Sequence, residues 1–488
     1  MADFFSNLLK IIEYNPDSPM LFNSGFFLYF FLACLVFYQI FFKNTKARSI
    51  YLMIFSLYFY YKSSGIFFYL LILSSIIDFI AGKKIAAETS QVKRKFFLIL
   101  SILTNFGILG YFKYTNFFFD TLNSVGLAHL DMAEIFLPVG ISFFTFQSLS
   151  YSIDIYRGVL KPEEKFTDFL FFVSFFPQLV AGPIVRAKDF LPQIHQNLEI
   201  RDIDISKAVF LIAAGLFKKA VIADYISINF IDRVFEMPLR YTGVENLMAL
   251  YGYALQIYCD FSGYSDMAIG LALLLGFRLP INFDSPYQSG SITEFWRRWH
   301  ISLSSWLKDY LYISLGGNRK GKIKQYRNLM LTMLLGGLWH GANWKFVIWG
   351  GIHGFALAVE KFLKILKLVA KNKFTKILGV FITFHIVCLC WIFFRASDFQ
   401  TGFEMISQIF NAFHAGVFLQ FISGYTAVFI LMIVGFILHF LPKSSEEYTQ
   451  KVVAKMPAFV HALIIVFVIW LVIQVKSSDI QPFIYFQF

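Results

Sequence analysis

Charge is scarce in this 488-residue sequence: 15% of its residues are Asp, Glu, Lys or Arg, against about 25% in an ordinary soluble domain. In their place stand 57% hydrophobic residues, among them 63 Phe, 25 Tyr and 8 Trp. A soluble chain of this length keeps a wide polar surface, so the apolar excess faces lipid. The formal net charge of +12 is gathered in short clusters between apolar runs, as in cytoplasmic loops near anionic headgroups, and a nucleic-acid partner is not expected. Cysteine is scarce too. Cys34, Cys259, Cys388 and Cys390 form no CxxC pair, and Cys388 and Cys390 point in different directions on a helix, so all four read as packing residues and no metal site is expected. There is no HExxH, no GxSxG and no phosphate-binding glycine loop, which leaves zinc-peptidase, serine-hydrolase and nucleotide-driven pump readings without support.

The first apolar run, residues 25–42, is about as long as a spanning helix requires and lacks the basic flank and cleavage site of a signal peptide. Before it, Phe4, Phe5, Leu8, Leu9, Ile11 and Ile12 recur at helical spacing opposite Asn7, Lys10 and Glu13, so residues 1–24 are expected to form an interfacial segment. The remainder, 25–488, reads as one membrane domain with its chemical core at about 250–360. Many of its apolar runs are short or interrupted by Gly and Pro, which predicts an all-α polytopic protein with roughly 11 embedded helices, some re-entrant. Lys43, Lys46 and Arg48, then Lys83, Lys84, Lys93, Arg94 and Lys95, then Arg157, Lys161 and Lys165 follow alternate runs, whereas residues 115–134 hold no Lys or Arg. By the positive-inside rule the N-terminus is extracytoplasmic, in a multi-pass protein of the cytoplasmic (inner) membrane.

Three stretches interrupt this pattern. In 284–318, Trp296, Trp299, His300, Leu303, Trp306, Leu307 and Tyr310 fall on one stripe of a helical projection, with Arg297, Arg298, Ser305, Lys308 and Asp309 on the other side; Thr293 is the expected N-cap and Gly316 and Gly317 the stop. An interfacial helix anchored by Trp and Arg gives the same pattern. In 334–354, His340 stands in an embedded run beside Trp339 and among Gly336, Gly337 and Gly341. Small residues there let helices approach or leave room for a substrate, and an imidazole is the side chain best suited to take a proton from a hydroxyl near neutral pH. A packing histidine is the competing reading. His353 lies 13 residues beyond His340 and, along one helix, is expected far from any shared site. In 253–277, Gln256, Asp260, Ser262, Tyr264, Ser265 and Asp266 interrupt an apolar run; either Arg297, Arg298 or Lys308 pairs with the acids, or the segment is a loop between two helices. Pro177, Gly182 and Pro183 break the run before it.

These stretches carry a resemblance. The segments FFPQLVAGPI, QIYCDFSGYSDMAIG, FDSPY, FWRRWHISLSSWLKDYLYISLGGNRKG, LWHGANWKFVIWGGIHG and WIFFRA resemble the membrane-bound O-acyltransferase superfamily, most closely its bacterial alginate O-acetyltransferase branch, from about Met20 to the C-terminus. The resemblance implies tilted helices around a central funnel and acyl transfer within it. His340 matches the family's active-site histidine, and His300 matches a second active-site position, a His in this branch and often Asn in eukaryotic relatives. Trp339, Trp299, Asp309, Asn343 and Asp260 are expected to bind substrate or shape the surroundings. The resemblance further implies no tightly bound cofactor, acetyl-CoA or another acyl thioester as donor, membrane lipid around the chain, an extracytoplasmic acetyltransferase as partner and a polysaccharide acceptor, alginate-like or another cell-wall glycan. Two other readings stay open: D-alanyl transfer to teichoic acid from a carrier protein, and a polysaccharide or lipid transporter, which internal repeats would favour and which none visible in the sequence supports.

Overall fold

The computed structural model describes residues 12–16, 19–22, 24–319, 321–365 and 372–475; most of the expected interfacial segment lies outside them. The described residues are helical with no strand, as lipid requires of a chain that satisfies its own backbone. They fall into two compact units: one takes the chain to Arg201 together with Leu271–Pro280, the other takes Asp202–Gly270 and Ile281 onward.

The first unit holds α1 (Gly25–Phe41), α2 (Thr45–Ser64), α3 (Phe68–Ala87), α4 (Gln91–Leu109), α5 (Thr115–Ser124), α6 (Ile141–Tyr156), α7 (Phe166–Ser174) and α8 (Ala187–Ile194). Between α2 and α3 the chain turns at Gly65, whose φ of 62° is a left-handed value that glycine adopts at little cost. Each of these two helices has 20 residues and is about 30 Å long, the thickness of the hydrocarbon layer. One polar cluster inside this unit is internally satisfied. Asp78 is fully buried and accepts from Ser101 at 2.5 Å and from Asn105 Nδ2 at 3.0 and 2.9 Å, which ties α3 to α4. The expected break near Pro177 falls at Phe175, where α7 ends and a single turn, Phe176–Leu179, begins.

The second unit holds α9 (Asp202–Leu216), most of α10 (Gly243–Leu274), α11 (Ile292–Arg298), α12 (Ile301–Trp306), α13 (Lys322–His340), α14 (Trp344–Ile365), α15 (Lys373–Arg395), α16 (Phe399–Asn411), α17 (Val417–Gly424), α18 (Thr426–Phe440), α19 (Lys443–Ala454) and α20 (Ala458–Val475). The stretch 253–277 is not a loop: α10 runs through Asp260 and Asp266 as one helix of 32 residues. Its acids are paired, Asp260 with Lys219 at 2.5 Å and Asp266 with Lys218 at 2.6 Å. Both lysines come from a π-helical turn, Phe217–Ala223, rather than from the Arg297–Lys308 stretch.

Among the described residues, five helical stretches are long and apolar enough to cross a membrane: Thr45–Ala87, Gln91–Ser124, Trp344–Ile365, Lys373–Arg395 and Ala458–Val475. The pair α17 and α18, bent by 95°, passes the same test together. Some of the other expected runs are shorter, as in α1 with 17 residues, or broken, as at Phe175. Along α20, Phe459, Leu463, Val466, Phe467, Trp470 and Ile473 are all more than half exposed, a display that belongs against lipid tails.

Candidate active site

The sequence predicts one continuous amphipathic helix through His300, and the structure breaks it there. Ser291, not Thr293, caps α11, its side chain accepting the Glu294 amide at 3.2 Å. The helix stops at Arg298, and His300 takes φ 42°, ψ 56°. Ser285 is the other non-glycine residue with positive φ among the described residues. A left-handed conformation costs a residue with a Cβ about 1–3 kcal/mol and persists where its surroundings enforce it. Here the enforcing residue is Asn282, 1% exposed. Its backbone carbonyl accepts the Ile301 amide at 2.9 Å, its Oδ1 accepts the Ser302 hydroxyl at 2.6 Å, and its Nδ2 donates to Ser265 on α10 at 3.1 Å. The chain then resumes as α12 and passes into a π-helical turn, Leu307–Tyr312, that carries Lys308 and Asp309. Asn282→Ala is expected to destabilise the protein by about 1–3 kcal/mol, because buried partners lose their bonds, and to lower turnover by releasing His300. Thermal melting in detergent and initial rates check both.

His340 is the last residue of α13, which folds back on α14 as a close hairpin. A Cβ on Gly337 would run into the Phe346 carbonyl, and one on Gly350 into the Met333 carbonyl. The absence of both side chains brings the two backbones together and lays Trp349 against His340, ring centroids 5.0 Å apart at 79°. Trp339 lies 5.2 Å from the same ring and Phe394 5.6 Å. The hairpin also overturns the distance argued for His353. That ring sits 4.7 Å from Trp349 and 5.1 Å from Trp296, one indole away from His340.

The rings of His300 and His340 are 6.5 Å apart, centroid to centroid, and the residues are 0% and 3% exposed. That separation is too long for a direct ring-to-ring hydrogen bond. His300 meets Phe261 edge-on at 4.6 Å and Trp339 at 6.0 Å, so its plane is fixed from two sides. A cavity of about 480 Å³ reaches His340. Trp296, Trp349, Leu303, Leu307, Met333 and Gly336 form apolar wall, while Arg297, Lys308, Lys361 and Lys364 add cationic groups. Glu360, also on the lining, accepts the Thr293 amide at 2.8 Å and pairs with Lys364.

Of the residues expected from sequence, His300, His340 and Trp339 come together. Trp299, 0% exposed, packs behind them against Phe295 at 5.6 Å and Trp391 at 5.0 Å. Asp309 is half-buried in the π-helical turn and Asp260 is tied to Lys219; neither lines the cavity. Asn343 is exposed, and its side chain accepts the Lys345 amide at 2.9 Å to start α14. Asn282, Trp349 and Phe394 were not singled out by the sequence reading. Trp349 and Phe394 lie within motifs, but their roles needed the hairpin, and nothing local distinguishes Asn282.

Comparison with known proteins gives the family of the chain. Residues 165–397 match the model of the MBOAT, membrane-bound O-acyltransferase, family. The chain is 42% identical over 400 residues to the probable alginate O-acetylase AlgI of Pseudomonas aeruginosa, covering 80% of this chain and 75% of that one. It is 37% identical over 433 residues to the peptidoglycan O-acetyltransferase of Helicobacter pylori, covering 82% and 81%. Against the teichoic acid D-alanyltransferase of Streptococcus thermophilus it is 34% identical over 282 residues, covering 52% and 68%. On this footing the chain, a multi-pass membrane protein, belongs to the membrane-bound O-acyltransferase family, in its alginate O-acetylase-like branch.

Proposed function

We propose that this protein is a membrane O-acetyltransferase that takes an acetyl group from a cytoplasmic thioester, acetyl-CoA or a related donor, for O-acetylation of an extracytoplasmic polysaccharide. The observation that carries the reading is that His340 lies on the wall of an apolar cavity with cationic residues, with the His300 ring centroid 6.5 Å from its own. The names of the alginate and peptidoglycan relatives support a glycan acceptor, and the basic loop clusters support a cytoplasmic membrane location with the N-terminus outside. A separate extracytoplasmic acetyltransferase is the expected partner.

In this scheme the neutral imidazole of His340 takes the proton of the acceptor hydroxyl as its oxygen attacks the thioester carbonyl carbon. A carbon–oxygen bond forms and the carbonyl becomes an oxyanion, which His300 stabilises or whose acceptor it orients. The carbon–sulfur bond then breaks, and the imidazolium returns its proton to the leaving thiolate. The products are an acetyl ester and a free thiol, with His340 neutral again. Trp349, Trp339 and Phe394 hold the base in place, and the strained backbone holds His300. Acetyl-CoA carries phosphates, and Lys308, Lys361 and Lys364 are placed to offset their charge.

The test supplies membranes holding the chain with labelled acetyl-CoA and, separately, with D-alanyl carrier protein. Label transfer from acetyl-CoA alone supports the proposal; transfer from the carrier protein alone favours teichoic acid D-alanylation, the reading that the third relative raises. Gly336 lines the cavity and a Cβ there meets only Leu307 Cδ1, at 3.1 Å. Gly336→Leu is therefore expected to leave the protein folded, fill the cavity and raise KM for the donor by about tenfold or more, roughly 1.4 kcal/mol or above.

A further inference from the structure

Away from the histidine pair, in the first unit, Glu163, Asp168 and His195 bring their ligand atoms within 4.8 Å of one another. Glu163 sits in the loop after α6, Asp168 in the first turn of α7, and His195 is the C-cap of α8. The His195 Nε2 to Glu163 Oε2 distance is 3.2 Å. Metal donors around a zinc-sized ion are about 3.0–3.6 Å apart when each bond is about 2.0–2.2 Å, so this pair already has the spacing. The third ligand, at most 4.8 Å away, closes on it with a shift of no more than about 2 Å.

Asp168 supplies the independent observation. It is 7% exposed, yet its carboxylate accepts no hydrogen bond and makes no ion pair among the described residues; the bond in this turn, to the Lys165 carbonyl, is made by its backbone amide. A largely buried carboxylate that accepts no hydrogen bond is open to a ligand that supplies one. This one faces a second carboxylate, whose side chain is 10% exposed, and the imidazole at the rim is half exposed. His195 and Lys165 act on Asp168 as attractive neighbours, and a divalent cation between the two carboxylates offsets both and supplies the bonds that Asp168 lacks.

We infer that Glu163, Asp168 and His195 form a binding site for a divalent transition-metal ion of the zinc type. One imidazole nitrogen with two carboxylate oxygens is a donor set that suits zinc; calcium and magnesium favour oxygen alone. The exposed rim beside His195 lets water complete the shell. The ion joins the loop after α6 to α7 and to the end of α8, segments 32 residues apart in sequence at the Glu163–His195 contact. Its role is structural, and nothing in it depends on the acyl-transfer reading.

The experiment uses the purified full chain in detergent, without a histidine tag, stripped with EDTA and titrated with Zn²⁺ against a fluorescent zinc indicator. The expected result is one Zn²⁺ per chain, at least tenfold weaker in Asp168→Asn and in His195→Ala, with a zinc-dependent rise in melting temperature in the wild type that both variants lose. Asp168→Asn keeps the side-chain shape, and monodispersity of each variant checks its fold. X-ray absorption at the zinc edge is expected to find one imidazole with oxygen ligands. Sulfur in the shell, no stoichiometric binding, or equal affinity in wild type and folded variants would overturn the site.

Discussion

Membranes carrying His340→Ala are expected to lose acetyl transfer by about 10²–10⁴-fold, the range that a positioned general base contributes. The loss should fall on kcat, with little change in donor KM, because the cavity walls Trp296, Lys308 and Gly336 stay in place. Alanine leaves the aromatic box of Trp339, Trp349 and Phe394 intact, so the variant should insert and migrate as the wild type does. His340→Gln keeps a hydrogen-bonding group near the same place but cannot act as a base, and is expected to be as inactive. Equal rates for wild type and His340→Ala in matched membranes would remove His340 from the chemistry.

Gly337→Val is expected to have the second largest effect, by a different route. Gly337 lies one turn before His340, and even the first atom of a side chain there collides with the Phe346 carbonyl and crowds Gly350. A backbone carbonyl in a helix cannot swing aside as a side chain can, so α13 and α14 must separate. Overpacking of this kind costs about 1–3 kcal/mol. A shift of about 1 Å in a catalytic group costs about 10²-fold in rate. The variant should therefore melt earlier and turn over about 10²-fold more slowly. Gly336→Ala, one position away, has only the mobile Leu307 methyl to displace and should remain close to wild type in stability. Similar melting temperatures for the two variants would contradict the account of the hairpin.

The sequence reading marked His340 as a histidine beside tryptophans and glycines in an apolar run, where lipid has no use for an imidazole, marked His300 by its place on an aromatic stripe, and took the roles of both from the family resemblance. It missed the break at His300 because Trp296, Trp299, Leu303 and Trp306 keep helical spacing across the interruption, and periodicity carries no trace of one left-handed residue. What forces the break is Asn282, 18 residues earlier in the chain, through hydrogen bonds to Ile301 and Ser302. Asp260 was singled out correctly as an acid needing a cation, but the cation, Lys219, comes from another helix. His353 was misjudged because distance was measured along one straight helix. The turn at Gly341–Asn343 folds α14 back, so that the residue far along the chain lands one indole from the base.

The most direct test of the central claim, that the acetyl group meets His340 inside this cavity, is an experimental structure with a non-reactive thioether analogue of acetyl-CoA. The account predicts the analogue's carbonyl carbon within about 4 Å of the His340 ring, its oxygen toward His300 and its phosphates among Lys308, Lys361 and Lys364. An analogue bound elsewhere, with His340 walled off from it by Trp349 and Phe394, would contradict it.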